Sequence, residues 1–232
     1  MEFIGEVLSD ALEILTSFGA ELWAVTGLTL AVSGSATVLG ALIGIPLGTS
    51  LAVGGFRGRG AILVAVNTGM GFPPVLAGLL LLLLLWSDGP LGAWGLLFTP
   101  AAMVMAQTLL AIPIAAGVTA ATIQALPPSA HEQLAALRLT RIKKGLVAVG
   151  EARAGMWAAV AAAFGRVVAE VGAVLIIGGN IKGETRVLTT AIVQESRQAR
   201  FGEAVALGIV LLVIALAVNG LLTWLQWRGR PS

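Results

Sequence analysis

The sequence predicts an all-α integral membrane protein, five hydrophobic helices preceded by an amphipathic one, and three observations carry that prediction. Hydrophobic residues make up 57% of the 232-residue chain and charged residues 11%, with a mean hydropathy of +0.95; soluble domains carry about a quarter charged residues. Five apolar stretches each reach the length of about 20 residues that a bilayer core requires. All six tryptophans, Trp23, Trp86, Trp94, Trp157, Trp224 and Trp227, stand near the ends of those stretches, as an interfacial aromatic belt requires. Such a chain leaves no room for a separate soluble catalytic domain, which needs about 50 residues or more. It has no Cys and a single His, His131, which excludes disulfides, thiolate sites and a His-based metal centre. No catalytic residue and no metal ligand is therefore predicted.

The N-terminal segment, residues 1–20, places Ile4, Val7, Leu8, Ala11, Leu12, Leu15 and Phe18 at helical spacing, with Glu2, Glu6, Asp10 and Glu13 on another side. This pattern predicts an interfacial amphipathic helix. Its acids occupy the place of a signal peptide's basic region, so no cleaved leader is expected. The transmembrane domain, residues 21–228, holds spans near Leu22–Val53, Ala61–Trp86, Leu91–Ala125, Met156–Gly179 and Ala204–Trp227.

Basic residues mark cytoplasmic loops. Arg57 and Arg59 follow the first span; Arg138, Arg141, Lys143, Lys144 and Arg153 follow the third; Arg228 and Arg230 end the chain. These share one side, while the N-terminal segment and Ser87-Asp88-Gly89-Pro90 lie on the other, giving the N-terminus outside and the C-terminus inside a multi-pass inner-membrane protein. The loop over 180–203, with Lys182, Arg186, Arg197 and Arg200, must lie outside despite its cations.

Within the spans, Gly40, Gly44 and Gly48 line one helical face and suit close helix packing. Pro46, Pro73-Pro74 and Pro113 each remove a backbone hydrogen bond. Arg166 and Glu170 are the ionisable residues well inside a span, and i,i+4 spacing sets them on one face, either as a functional pair or as a structural one. In the cytoplasmic loop over 127–155, Pro127-Pro128 ends a span and Ser129-Ala130-His131-Glu132 reads as a capping box. It opens a helix expected to run to about Lys144, bearing Leu134, Leu137 and Ile142 among Arg138, Arg141, Lys143 and Lys144. Such a helix suits the boundary between membrane and protein partner, or anchors beside lipid headgroups.

Here the chain resembles the permease subunits of type I ABC importers, whose corresponding loop carries the EAA motif. The segment reads Glu132-Gln133-Leu134-Ala135-Ala136-Leu137-Arg138-Leu139-Thr140. It departs from the family pattern where Gln133 replaces Ala, Arg138 replaces Gly, and Val149-Gly150 replaces Leu-Pro. A second group of segments looks like the molybdate and tungstate branch, tungstate permeases most closely. These are Phe72-Pro73-Pro74-Val75-Leu76-Ala77-Gly78-Leu79, Ala111-Ile112-Pro113, Glu170-Val171-Gly172-Ala173, Gly178-Gly179-Asn180-Ile181 and Thr185-Arg186-Val187-Leu188-Thr189-Thr190-Ala191-Ile192. The similarity runs from about Leu28 to Leu222.

This resemblance implies a five-helix permease core that pairs with a second copy of itself, binds ABC ATPase subunits on the cytoplasmic face and receives an oxyanion from an extracytoplasmic binding protein. The chain carries no phosphate-loop motif, so ATP and Mg belong to the ATPase, and no nucleic-acid partner is implied. Glu132, Leu134, Leu137, Arg138, Thr140 and Arg141 are the implied ATPase-coupling residues. Asn67, Thr68, Gln107 and Thr108 offer hydrogen bonds either to an oxyanion or to a neighbouring helix; with Arg166, Glu170 and Asn180 they are the candidate path or gate. Lys182, Thr185, Arg186, Arg197 and Arg200 are candidates for anion steering or for docking the binding protein. The competing readings are the same architecture carrying molybdate, sulfate or another small solute, and an ion-coupled secondary transporter. The chain shows no internal repeat of the kind such transporters often contain.

Overall fold

The computed structural model describes residues 2–17, 19–136 and 139–228, and these contain helices and no strand. In chain order the helices are α1 (Glu2–Thr16), α2 (Ala20–Val53), α3 (Arg59–Met70), α4 (Pro74–Leu85), α5 (Pro100–Gln124), α6 (Pro128–Ala136), α7 (Arg141–Glu151), α8 (Arg153–Val168), α9 (Gly172–Gly178), α10 (Leu188–Arg197) and α11 (Phe201–Arg228). Three of them, α2, α5 and α11, are long and apolar enough to cross a membrane by themselves. The number rises to five if α3 with α4 and α7 with α8 are each one broken span.

The first and fifth predicted spans coincide with α2 and α11. The other three are less regular than the hydropathy pattern suggests. The second is broken at Gly71-Phe72-Pro73, where Pro73 cannot donate to the helical ladder and Pro74 opens α4 at its first position. The third begins nine residues late: Leu91–Thr99 is a turn containing a 3-10 segment, Gly92–Trp94. Thr99 Oγ1 accepts a hydrogen bond from Ala102 N at 3.3 Å, capping α5 just before Pro100. The fourth stops at Val168, and its remainder forms the separate short helix α9.

The predicted single helix of the cytoplasmic loop is two. Pro128 already opens α6, so Ser129 lies inside the helix and the expected capping box is not its start. A second helix, α7, begins after Thr140 and meets α8 at a bend of 82°. Phe18, Leu137, Arg138 and Arg230, named above, lie outside the described residues.

The chain divides into two compact units. Unit 1 gathers Met1–Ser35, Pro73–Gln107 and Val168–Ala217; unit 2 gathers Ala36–Phe72, Thr108–Val167 and Val218–Ser232. In unit 2 the glycine face of α2 packs on α5. A Cβ on Gly44 would come within 2.7 Å of Ala115 Cβ and of the Ile112 carbonyl, and one on Gly40 or Gly48 would overlap Ala111 or Ala116. Pro113 seats against Gly69 in the same unit. Backbones this close exchange dispersion contacts that lipid cannot supply. A further core cluster joins Ile123 and Leu134 to Ala148, Ala152 and Met156.

Much of the helical surface is apolar and exposed. Leu212, Val213 and Leu216 of α11 and Leu79, Leu80 and Leu83 of α4 are between 45% and 64% accessible. A soluble protein does not leave such stretches in water, whereas hydrocarbon solvates them without cost. All six tryptophans are exposed as well.

Candidate functional site

The densest polar cluster in unit 1 forms where the helical run after α8 breaks. Glu170 stands two residues beyond the end of α8 and is only 5% exposed. The helix that carries Arg166 ends before it reaches the acid. Arg166 lies half-buried in the last turn of α8. Glu170 Oε1 accepts a hydrogen bond from Ala173 N at 3.1 Å and satisfies an orphan donor at the start of α9.

Threonines close the rest of the cluster. Thr189 Oγ1 donates to the Glu170 carbonyl at 3.0 Å. Thr185 Oγ1 donates to the Gly178 carbonyl and accepts from Ile181 N at 3.0 Å, tying off the turn after α9. Thr190 Oγ1 accepts from Val187 N at 3.1 Å. From α2, Thr29 Oγ1 accepts from Leu188 N at 2.9 Å while donating to the Val25 carbonyl at 2.7 Å, so it caps α10 across 159 residues of sequence. Thr185, Thr189 and Thr190 are at most 5% exposed. Residues 185–191 of the expected outer loop are thus largely buried, because their hydroxyls pair with backbone groups rather than with water.

Four of the five segments that carry the resemblance meet around this cluster, whereas Ala111-Ile112-Pro113 lies in unit 2. Gly78 packs on Ala173, where an added Cβ would lie 2.8 Å from Ala173 Cα, and Gly172 faces Val75. Gly178 faces Met103, and Phe98 N donates to the Ile177 carbonyl at 3.0 Å. Asn180 adopts a positive φ of 53° just beyond α9. Sequence reasoning missed Thr29 and Thr189; the signal for Thr29 was its place in a stripe with Thr26 and Ser33, all buried on an otherwise apolar helix. Among the other path candidates, Gln107 is buried in unit 1, whereas Asn67 and Thr68 lie exposed on α3 in unit 2.

The predicted steering cations are unequal. Lys182 Nζ pairs with Glu21 at 2.8 Å, and Arg200 pairs with Glu195 and, at 3.5 Å, with Glu203. Their charge is matched locally. Arg186 and Arg197 form no ion pair among the described residues, and Arg186 shares a cleft of about 460 Å³ with Lys182, Glu21, Glu195 and Glu203. Ahead of it, Glu6, Asp10 and Glu13 of α1 line a cleft of about 480 Å³ with Arg200, while Ile4, Leu8 and Leu12 point outward.

In unit 2, α6 exposes His131, Glu132 and Gln133 and turns Leu134 inward to 4% exposure. Leu134 is therefore a core residue that fixes the helix. Thr140 and Arg141 are exposed at the start of α7. No group of His, Asp and Glu able to hold a metal ion occurs among the described residues. What the geometry offers is a braced helix break and an exposed polar helix.

Residues 44–230 match the family described as binding-protein-dependent transport system inner membrane component. The chain is 41% identical over 205 residues to a probable anion ABC transporter permease protein of Haloferax volcanii, covering 86% of this chain and 88% of that one. It is 35% identical over 226 residues to the tungstate uptake system permease protein TupB of Peptoclostridium acidaminophilum, covering 97% and 99%. Its fold matches a crystal structure of a bacterial ABC transporter involved in the import of the acidic polysaccharide alginate, with TM-score 0.73, 19% identity and coverage of 98% and 88%. The chain belongs to the family of inner membrane components of binding-protein-dependent transport systems.

Proposed function

We propose that this chain is the membrane-spanning permease subunit of an ATP-driven importer that passes an oxyanion, tungstate foremost, across the cytoplasmic membrane. The observation that carries this reading is the match to a tungstate permease over 97% of the chain. The permease moves and does not hydrolyse: ATP and Mg reside in separate ATPase subunits, and an extracytoplasmic protein delivers the anion. Two copies of the chain form the pathway, since five spans supply half of such a conduit.

The N-terminus lies outside and the C-terminus inside. The exposed polar face of α6, with Glu132, seats in the ATPase; Thr140 and Arg141 follow it. Closure of the ATPases on ATP pulls α6, and its buried Leu134 passes the displacement into the core cluster with Ile123 and Met156. The braced break at Glu170 keeps α9 and α10 as one body while neighbouring spans move. Asn67, Thr68, Gln107, Arg166 and Asn180 are the remaining candidates for the path, and Arg186 and Arg197, which form no ion pair among the described residues, are the candidates for raising the local concentration of a divalent anion.

Titrating the binding protein recovered with this chain with tungstate, molybdate and sulfate, followed by uptake into proteoliposomes, tests the reading. ATP-dependent accumulation of tungstate ahead of sulfate is the expected result. Accumulation of sulfate or of a neutral solute in preference to tungstate would overturn the substrate assignment, and uptake that persists without ATP would overturn the mechanism.

A further inference from the structure

A groove of about 690 Å³ lies in unit 2 between the C-terminal end of α2 and α7. Its walls are apolar: Ile45, Val53 and Phe56 on one side, and Ile142, Leu146 and Val149 on the other, the last three at i, i+4 and i+7 on one face of α7. The hydroxyls in its lining turn away from any ligand, since Thr49 Oγ1 donates to the Ile45 carbonyl at 2.8 Å and Ser50 Oγ to the Leu47 carbonyl at 2.7 Å. Arg141 and Lys144 are the only charged side chains lining it among the described residues, and neither forms an ion pair there. In this it differs from the clefts of unit 1, where cations and carboxylates alternate.

The exposed pattern of α7 is hard to reconcile with water. Ile142 is 78% and Leu146 67% accessible, although Gly145 and Ala148 beside them are packed against the protein. Nor does the groove stand apart from the membrane-facing surface. Leu39, Leu42 and Ile43 of α2, between 43% and 66% accessible, form an apolar wall that continues directly into Ile45. An occupant of this site must be apolar along most of its length, negatively charged at one end, and reachable from the hydrocarbon phase.

We propose that the groove between α2 and α7 holds one anionic phospholipid, its acyl chain against Ile45, Val53, Ile142 and Leu146 and its phosphate on Arg141 and Lys144. Basic pockets beside membrane helices on the cytoplasmic side recognise acidic headgroups on this principle. The site needs no ATPase, so its occupancy is independent of the transport reading given above. It makes α7 a lipid-seated strut that fixes the bend of 82° into α8.

The experiment is native mass spectrometry of the full-length chain, with whatever subunits accompany it, released from nanodiscs of equal phosphatidylglycerol and phosphatidylcholine. Two basic residues at about 1 kcal/mol each predict roughly thirtyfold enrichment of a single phosphatidylglycerol. R141Q/K144Q should bring the two lipids near parity, while K182Q/R197Q, an equal charge change in unit 1, should leave the enrichment intact. Equal retention of both lipids by the unsubstituted chain would overturn the site, and so would loss of enrichment in both double variants, which would mean bulk charge alone. Because the chain has no Cys, L146C carrying a benzophenone gives a readout that does not depend on the double variants folding. Lipid adducts support the proposal; adducts to a second copy of the chain or to an ATPase would show that protein covers the groove and would contradict it.

Discussion

Residues 170–190 and residues 128–151 are both polar interruptions in an apolar chain, and they treat polarity in opposite ways. The first hides it. Glu170, Thr185, Thr189 and Thr190 are at most 5% exposed and spend their hydrogen bonds on backbone groups of the break between α8 and α9 and of the start of α10. The second displays it: Glu132, Arg141 and Lys143 are exposed, and Leu134, Gly145 and Ala148 supply the buried side. An irregular backbone survives at membrane depth only where its groups are satisfied internally, so the first region reads as a brace. Helix α6, which buries Leu134 and offers Glu132 outward, reads as a docking element.

That contrast separates the effects of substitution. The largest is expected at Glu132: replacement by Ala should lower ATP-dependent uptake at least roughly tenfold, equivalent to about 1.4 kcal/mol, while the melting temperature and the ATPase activity of the complex persist. Uptake equal to that of the unsubstituted chain in an intact complex would remove α6 from the coupling role. Glu170→Ala should act the other way, leaving Ala173 N without its acceptor and costing on the order of 1–3 kcal/mol of stability. A melting temperature in detergent unchanged from the parent would contradict the brace. Thr189→Val preserves shape but loses one buried hydrogen bond and should cost about 1 kcal/mol, again seen as a lower melting temperature with coupling intact. Least affected should be Lys182→Ala, because the pair with Glu21 is exposed on both partners and such pairs are worth less than about 1 kcal/mol. Reversing Lys182 and Arg186 together should slow uptake more at low salt than at high salt, since exposed fields are screened over about 8 Å at physiological ionic strength. A salt-independent loss would mean direct contact with the anion or the binding protein.

Several features were legible in the residues themselves. The limits of α2 and α11 followed from unbroken apolar composition, and the spacing of Gly40, Gly44 and Gly48 announced the seam that they form with Ala111, Ala115 and Ala116. The breaks were harder to read, because apolar composition says that a segment can lie in a membrane and not that it is one helix. Prolines held more information than their count suggested: Pro74, Pro100 and Pro128 each occupy the first position of a helix, whereas Pro46 and Pro113 sit within one. Reading Thr99-Pro100 as a cap followed by a first-turn proline would have shortened the third span. The burial of residues 185–191 was hidden by their polar composition, since a threonine that bonds to backbone has the same letter as one that faces water.

The central claim is that this chain is the moving half of an ATP-driven importer, and co-purification from its native membrane tests that claim most directly. The tagged chain, extracted gently and analysed by mass spectrometry, should bring with it an ABC ATPase in equal copy number. Reproducible recovery of the chain as an oligomer free of any ATPase, still able to drive uptake after reconstitution, would contradict the account.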